Sequence, residues 1–320
     1  MTGSFDERIQ ARLDRFEPML AEAARARTEL VTEAARHVIR AGGKRFRPTL
    51  VFAAAEFGEV IDEQRMFEAA LVMELTHVAS LYHDDVMDEA DVRRGAPSAN
   101  RFYGNSVAIL VGDFLFAQAS DMVADLGMDY LRLQARTFSR LVQGQIAETV
   151  GPAEGEDPLE HYLRVIADKT GSLIAASACF GGMVGGVPDD GLRALREFGE
   201  EIGVVFQLSD DLIDIESDVT GKTPGTDLRE GVATLPVLML RARNAPEDAE
   251  LLAMIDGDLE DDAALDEVLR RLRAHPVMAA ARERVDAHAQ RARELLGPLP
   301  DGDAKDALLR LCDELVTRSR

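Results

Sequence analysis

Two stretches of this chain carry clustered aspartates at helical spacing: Leu81-Tyr82-His83-Asp84-Asp85-Val86-Met87-Asp88 and Gln207-Leu208-Ser209-Asp210-Asp211-Leu212-Ile213-Asp214. In each, the first and last acids stand one helical turn apart, about 6 Å along the axis, so their carboxylates share a face. Like charges at that spacing weaken a helix, and the cost grows where the site is partly buried. A cation must neutralise them. Oxygen donors without nearby cysteine select a hard ion, and Mg²⁺ is ordinarily held by one or two carboxylates together with substrate phosphates. A solvated acidic face would account for one such cluster, but two copies with apolar residues between the acids argue against it. Glu74-x-x-His77 has the spacing of a di-iron bundle site, yet that bundle needs a second Glu-x-x-His and the chain has none.

The cations that could meet a phosphate are few and placed. Of 36 basic residues only Lys44, Lys169, Lys222 and Lys305 are lysines. Three of them stand in Gly42-Gly43-Lys44-Arg45-Phe46-Arg47-Pro48, Lys169-Thr170-Gly171-Ser172-Leu173 and Gly221-Lys222-Thr223-Pro224-Gly225. An ammonium suits phosphate oxygens as a point charge, while Arg47, Arg93 and Arg94 can add forked contacts. Alone, Arg93-Arg94 would read as solvated charges beside Asp91. Just before Gly95 and closely following Asp84, they belong with the acids.

Helices must position these groups. Apolar residues recur at three- and four-residue intervals, as in Leu71, Leu75, Val78, Ala79, Tyr82 and in Leu192, Leu195, Phe198, Ile202, Val205. No alternating β-branched run survives between turn signals, so no sheet is expected. Breaks at Gly42-Gly43, Gly95-Ala96-Pro97, Gly151-Pro152, Val187-Pro188, Gly221 to Gly225, Ala245-Pro246, His275-Pro276 and Gly297-Pro298 divide the chain into roughly ten or more helices. Short connections suit mostly antiparallel neighbours. Glu216 to Val232 reads as a longer polar loop carrying Lys222, Asp227 and Arg229, a candidate lid.

In this order, Gly-Gly-Lys-x-x-Arg-Pro, Asp-Asp-x-x-Asp with Arg-Arg-Gly, Gly144-Gln145, Lys169-Thr170, and Phe206-Gln207 with the second Asp-Asp-x-x-Asp resemble the trans-type isoprenyl (polyprenyl) diphosphate synthases, from about Gly42 to Pro236. The resemblance implies an all-α fold, one large isoprenoid-synthase domain over 1–320 with helices around a central cavity. It implies condensation of isopentenyl diphosphate with an allylic diphosphate. Lys44, Arg47, His77 and Arg94 would bind the first diphosphate; Arg93, Lys169, Thr170, Gln207 and Lys222 would hold the second. Asp84, Asp88 and Asp210 would lead as Mg²⁺ ligands, more than one ion per site, with Asp85, Asp211 and Asp214 supporting them. Relatives often carry lysine after the glycine of Asp-Leu-x-x-Gly, where this chain has Val232, so that phosphate contact is absent or supplied elsewhere.

Ala79 and Ser80, one turn before the first cluster, are small where short-chain relatives commonly carry an aromatic. That favours a long product, hexaprenyl or beyond, over farnesyl or geranylgeranyl diphosphate, although Tyr82, Phe114 or Phe116 could narrow the pocket. A terpene cyclase would mix Asn, Ser or Thr with Glu in its second metal motif, and a silent subunit of a heteromeric synthase would have lost these aspartates. The relatives are typically homodimers, and the apolar Val107 to Ala119 segment hints at such an interface here.

Composition bounds the rest. With 58 acidic against 36 basic residues the net charge is -22, which repels nucleic acid. So many carboxylates with so few lysines resemble proteins from salt-loving organisms, where ionic strength screens self-repulsion. The most apolar stretches, glycine-rich Leu173 to Val187 and Val107 to Ala119 with Asp113 inside it, lack the unbroken length of a bilayer span, so no transmembrane helix is expected, and without a secretory signal a cytoplasmic location is expected. Cys179 and Cys312 lack the spacing of a metal or disulfide framework and read as free or buried thiols.

Overall fold

The structure, a computed structural model, describes residues 4–59, 61–216 and 224–318. Its helices, in chain order, are α1 (Phe5–Ala23), α2 (Glu29–Arg40), α3 (Phe46–Ala55), α4 (Glu63–Met87), α5 (Ala99–Tyr103), α6 (Asn105–Leu126), α7 (Met128–Val150) and α8 (Pro158–Ile166). After a π-helical turn, Ala167–Gly171, come α9 (Ser172–Gly185), α10 (Asp189–Glu216), α11 (Thr226–Arg229), α12 (Leu235–Arg243), α13 (Ala249–Ile255), α14 (Asp262–Ala274), α15 (Pro276–Leu295) and α16 (Asp303–Arg318). The all-α expectation holds. One detail departs from it: Val92–Arg93 and Ala96–Pro97 pair as β1 and β2, a hairpin with Arg94-Gly95 as its two-residue turn. Both turn residues have positive φ, 54° and 79°, as a tight hairpin turn matching strand twist requires. Two-residue strands leave no alternation to read, which is why the sequence pattern misses them.

Chain contacts divide the protein into two compact units. The first comprises Met1–Ser139, Leu173–Arg196 and Pro298–Ala307. Its core includes Phe16, Phe52 and Phe67, packed edge to face with centroids 6.1 and 5.4 Å apart. The glycines of α9 have a packing reason: a Cβ at Gly181 would lie 2.2 Å from the Val51 carbonyl oxygen, and one at Gly185 2.4 Å from that of Ala55. Four residues apart, they form a smooth stripe on which α3 lies backbone to backbone. On α6, a Cβ at Gly112 would meet the His83 ring of α4 at 2.4 Å and the Ala79 carbonyl oxygen at 3.2 Å.

The second unit comprises Arg140–Ser172, Glu197–Gly297 and Leu308–Arg320. Its buried residues include Leu208, Leu212, Val268, Leu272, Val285 and Ala289. Within the stretch expected as a polar loop from Glu216 to Val232, Thr226–Arg229 winds into α11, and residues 217–223 lie outside the described residues. Lys222 lies outside the described residues. Cys179 and Cys312 are both buried free thiols.

The size of α6 also differs from expectation. Its 22 residues make it long and apolar enough to cross a membrane by length and composition, where the sequence suggested only Val107 to Ala119. Asp113 interrupts it, and Ala108, Val111, Leu115, Ala119 and Val123 are buried in the first unit.

Candidate active site

In the first unit the acids close the C-terminal end of α4. Asp88 is the C-cap, and its N–H donates to the Asp84 carbonyl at 2.8 Å, which fixes the two one turn apart. Asp84 is half-buried and Asp88 exposed. A helix C-terminus carries partial negative charge, so acids are disfavoured there, and no basic residue stands in the last turn of α4. Asp85 has a different partner. It is fully buried, and its Oδ1 accepts from Arg93 Nε at 2.6 Å and Nη2 at 2.5 Å. Arg93 is thereby turned toward α4 by the hairpin.

Above that end lies a concentration of cations. The guanidinium of Arg94 rests on Gly43, where a Cβ would be 2.7 Å from its Nη1. Arg47, at the start of α3, has a buried Nε without a hydrogen-bond partner. Burial lowers its pKa to about 10 and Arg94 adds to the fall, while Glu74 and Asp84 oppose it. His77, one turn after Glu74, is held neutral: burial first, then Arg47, Arg94 and Arg93, push its pKa well below the ordinary value. An orphaned donor among like charges suits an anion. It does not suit iron, which disposes of the Glu74-x-x-His77 alternative. The structure brings Arg47, His77 and Arg94 together as neighbours; Lys44 is exposed on the same turn.

Ala79 and Ser80 are buried, Ser80 Oγ donating to the His77 carbonyl at 2.8 Å. Tyr82 does not narrow that wall, because its hydroxyl donates to the Ala34 carbonyl and accepts from Val38 N–H on α2. Phe116 packs on His83 and Phe138. Phe114 lines a separate open groove of about 930 Å³ with residues 22–28.

The second unit carries the other cluster at the C-terminal end of α10, again with no basic residue in the last turn. Asp211 is buried and engaged: Tyr162 donates to its Oδ2 at 2.5 Å, Leu235 N–H at 3.2 Å, and Gln207 Nε2 to its Oδ1 at 3.3 Å. Burial raises its pKa to about 6 and raises that of Tyr162 well above normal, so the phenol keeps its proton and donates it. Asp214 caps α11, accepting from Thr226 and Asp227 N–H at 3.2 and 3.3 Å. Asp210 accepts from Arg318 at 3.2 Å. Arg229, on α11, donates to Asp262 at 2.6 Å.

Lys169 and Thr170 sit in the π-helical turn, a local irregularity that frequently marks a functional site. Lys169 Nζ donates to Glu148 at 2.5 Å. Gly144 explains its place in the sequence motif, since a Cβ there would lie 2.7 Å from the Lys169 backbone nitrogen. Tyr162 was not singled out from sequence, Arg45 only as part of the Gly42–Pro48 stretch and Glu74 only as a discarded iron-site spacing, because the partners they meet lie far along the chain.

Among the described residues no three His, Cys, Asp or Glu side chains form a closed cage for a metal. The donors offered are carboxylates one or two at a time, at the ends of helices whose last turns hold no basic residue, which fits a hard ion whose remaining ligands are water and phosphate.

The polyprenyl synthetase family model matches residues 28–272. Nonaprenyl diphosphate synthase of Mycobacterium tuberculosis is 46% identical over 316 residues, 98% of this chain and 94% of that one. Geranylgeranyl pyrophosphate synthase from Corynebacterium glutamicum, solved with calcium and isoprenyl diphosphate, matches with a TM-score of 0.88 at 43% identity, covering 98% of this chain and 96% of its own. Decaprenyl diphosphate synthase from Rhodobacter capsulatus matches with a TM-score of 0.88 at 30% identity, covering 98% of each chain.

Proposed function

We propose a reaction for this chain from one premise: it belongs to the polyprenyl synthetase family. It is a prenyltransferase that condenses isopentenyl diphosphate with an allylic diphosphate to give an all-trans polyprenyl diphosphate. The observation that carries the reading is the repeated acid cluster, each at the C-terminus of a helix whose last turn holds no basic residue. Asp84 and Asp88 on α4, and Asp210 and Asp214 on α10, would hold Mg²⁺, more than one ion in all. Bound there, the ions would stabilise charge on the departing diphosphate.

The chain's own residues divide the remaining work. Lys44, Arg47, Arg94 and neutral His77 bind the diphosphate of isopentenyl diphosphate. Lys169, Thr170 and Lys222, with Arg93 and Gln207, serve the allylic one. Asp85 and Asp211 act by orientation, one holding Arg93 and the other tying Tyr162 to the start of α12. Apolar helix faces exclude water from the allylic cation. No protein nucleophile is needed.

The product is long, hexaprenyl or beyond; small Ala79 and Ser80, and a Tyr82 turned toward α2, support this. The 43% identical Corynebacterium enzyme keeps geranylgeranyl diphosphate as the second reading. Both units serve one isoprenoid-synthase domain in the cytoplasm, and the exposed Ile109 and Leu110 of α6 pack against a second copy in a homodimer. Asp84→Ala and Asp210→Ala should each lower turnover by several orders of magnitude while circular dichroism stays unchanged, since each removes charge stabilisation realised in the transition state. Turnover equal to the parent at saturating Mg²⁺ would remove the metal assignment.

A further inference from the structure

Glu74 takes no part in the chemistry described above, yet it is 2% exposed in the middle of α4. Its Oε1 accepts from Arg45 Nη1 at 3.0 Å, and its Oε2 is buried without a partner. Arg45 is itself 6% exposed and stands between Lys44 and Arg47. It has φ 48°, a left-handed conformation that a non-glycine residue keeps only when its surroundings hold it. They do hold it. Nε and Nη2 donate to Glu17 at 2.6 and 2.9 Å, and Nη2 also reaches the Ile39 carbonyl at 3.2 Å.

The turn that Arg45 fixes is the one on which the Arg94 guanidinium rests, at Gly43, and from which Arg47 projects. Gathering Arg45, Arg47 and Arg94 costs mutual repulsion, and an anion inside the cluster offsets it. After burial, Glu74 is the largest influence on both Arg47 and Arg94, in each case favouring the charged form.

Resting on the reading of this cluster as the acceptor-diphosphate subsite, we propose that Glu74 is its positioning residue: it bolts the Gly43–Arg47 turn through Arg45 and supplies the resident counter-charge that keeps Arg47 and Arg94 together before substrate arrives. Binding then needs no rearrangement of the turn, so the residue acts on acceptor affinity and leaves the allylic primer untouched.

The test compares Glu74→Gln, which keeps shape and loses charge, with Glu74→Asp and with Arg47→Ala as benchmark. Glu74→Gln should raise KM for isopentenyl diphosphate ten-fold or more, with KM for the primer within two-fold of the parent. Glu74→Asp, which restores the charge, should recover part of that loss. Should Glu74→Gln not fold, Glu17→Gln reads the same bolt from its outer end, where Glu17 is 48% exposed; a rise of about three-fold in the acceptor KM alone is expected. An acceptor KM within two-fold in the folded variant, while Arg47→Ala raises it, would overturn the positioning role and leave the subsite standing. Equal rises in both KM values would also overturn it, as a merely structural defect. An unchanged acceptor KM in Arg47→Ala would instead remove the subsite and the inference with it.

Discussion

At Asp85 and Asp211 a buried carboxylate sits beside acids that are less buried, in motifs of the same Asp-Asp-x-x-Asp spacing. The difference lies in distant partners: Arg93 for the first, Tyr162 and the Leu235 N–H for the second. Sequence spacing shows which acids share a helix face but not which one turns inward to a partner elsewhere. His77 shows the same division. Its register beside the arginines was legible through the family pattern, whereas its neutrality follows from burial and from Arg47, Arg94 and Arg93. That neutrality has a pH consequence. Unfolded, the imidazole takes up a proton near pH 6.5; folded, it does so only well below. The unfolded state therefore binds more protons in that window, and stability falls as pH drops below 6.5. His77→Asn should make the loss between pH 6.5 and 5.5 shallower, by up to about 1.4 kcal/mol per pH unit. Denaturant titrations across that range check it, and slopes identical to the parent would show that the histidine protonates in the folded protein.

At the scale of elements, the helices and most of their breaks were legible because three- and four-residue periodicity runs through α4 and α10, and Gly or Pro marks the turns. The hairpin at Val92–Pro97 and the helical turn Thr226–Arg229 were not, since each is too short to show a period and depends on contacts made elsewhere. The glycine-rich segment from Leu173 to Val187 was visible as composition, but its purpose emerges only where Gly181 and Gly185 meet the backbone of α3. Gly181→Ala should therefore destabilise the fold, even though alanine is the better helix former. The added methyl would stand 2.2 Å from the Val51 carbonyl oxygen, and overpacking of this kind costs roughly 1–3 kcal/mol. Urea unfolding midpoints measure it; a midpoint at or above the parent's would mean α3 and α9 separate freely.

Over the whole molecule, a net charge of -22 must coexist with a compact fold. Arginine pairs such as Arg8–Glu56, Arg140–Glu200 and Arg271–Glu267 offset part of the repulsion locally, but exposed pairs contribute little. The excess is left to counter-ions. Raising KCl from 0.1 M toward 1 M shortens the screening length from about 10 Å to about 3 Å, so the thermal midpoint should rise; a midpoint independent of KCl would contradict a fold adapted to salt. With so acidic a surface, the proposed reaction needs locally basic pockets, and Arg47, Arg94 and Lys169 are the residues proposed for them. Whether those pockets perform prenyl transfer is tested most directly by incubating the purified chain alone with isopentenyl diphosphate, an allylic primer and Mg²⁺, then separating the dephosphorylated products by chromatography. The expected result is a series of linear all-trans alcohols ending at hexaprenyl length or beyond, lost when the metal is chelated. Cyclic hydrocarbons, or no product from the chain by itself, would contradict it.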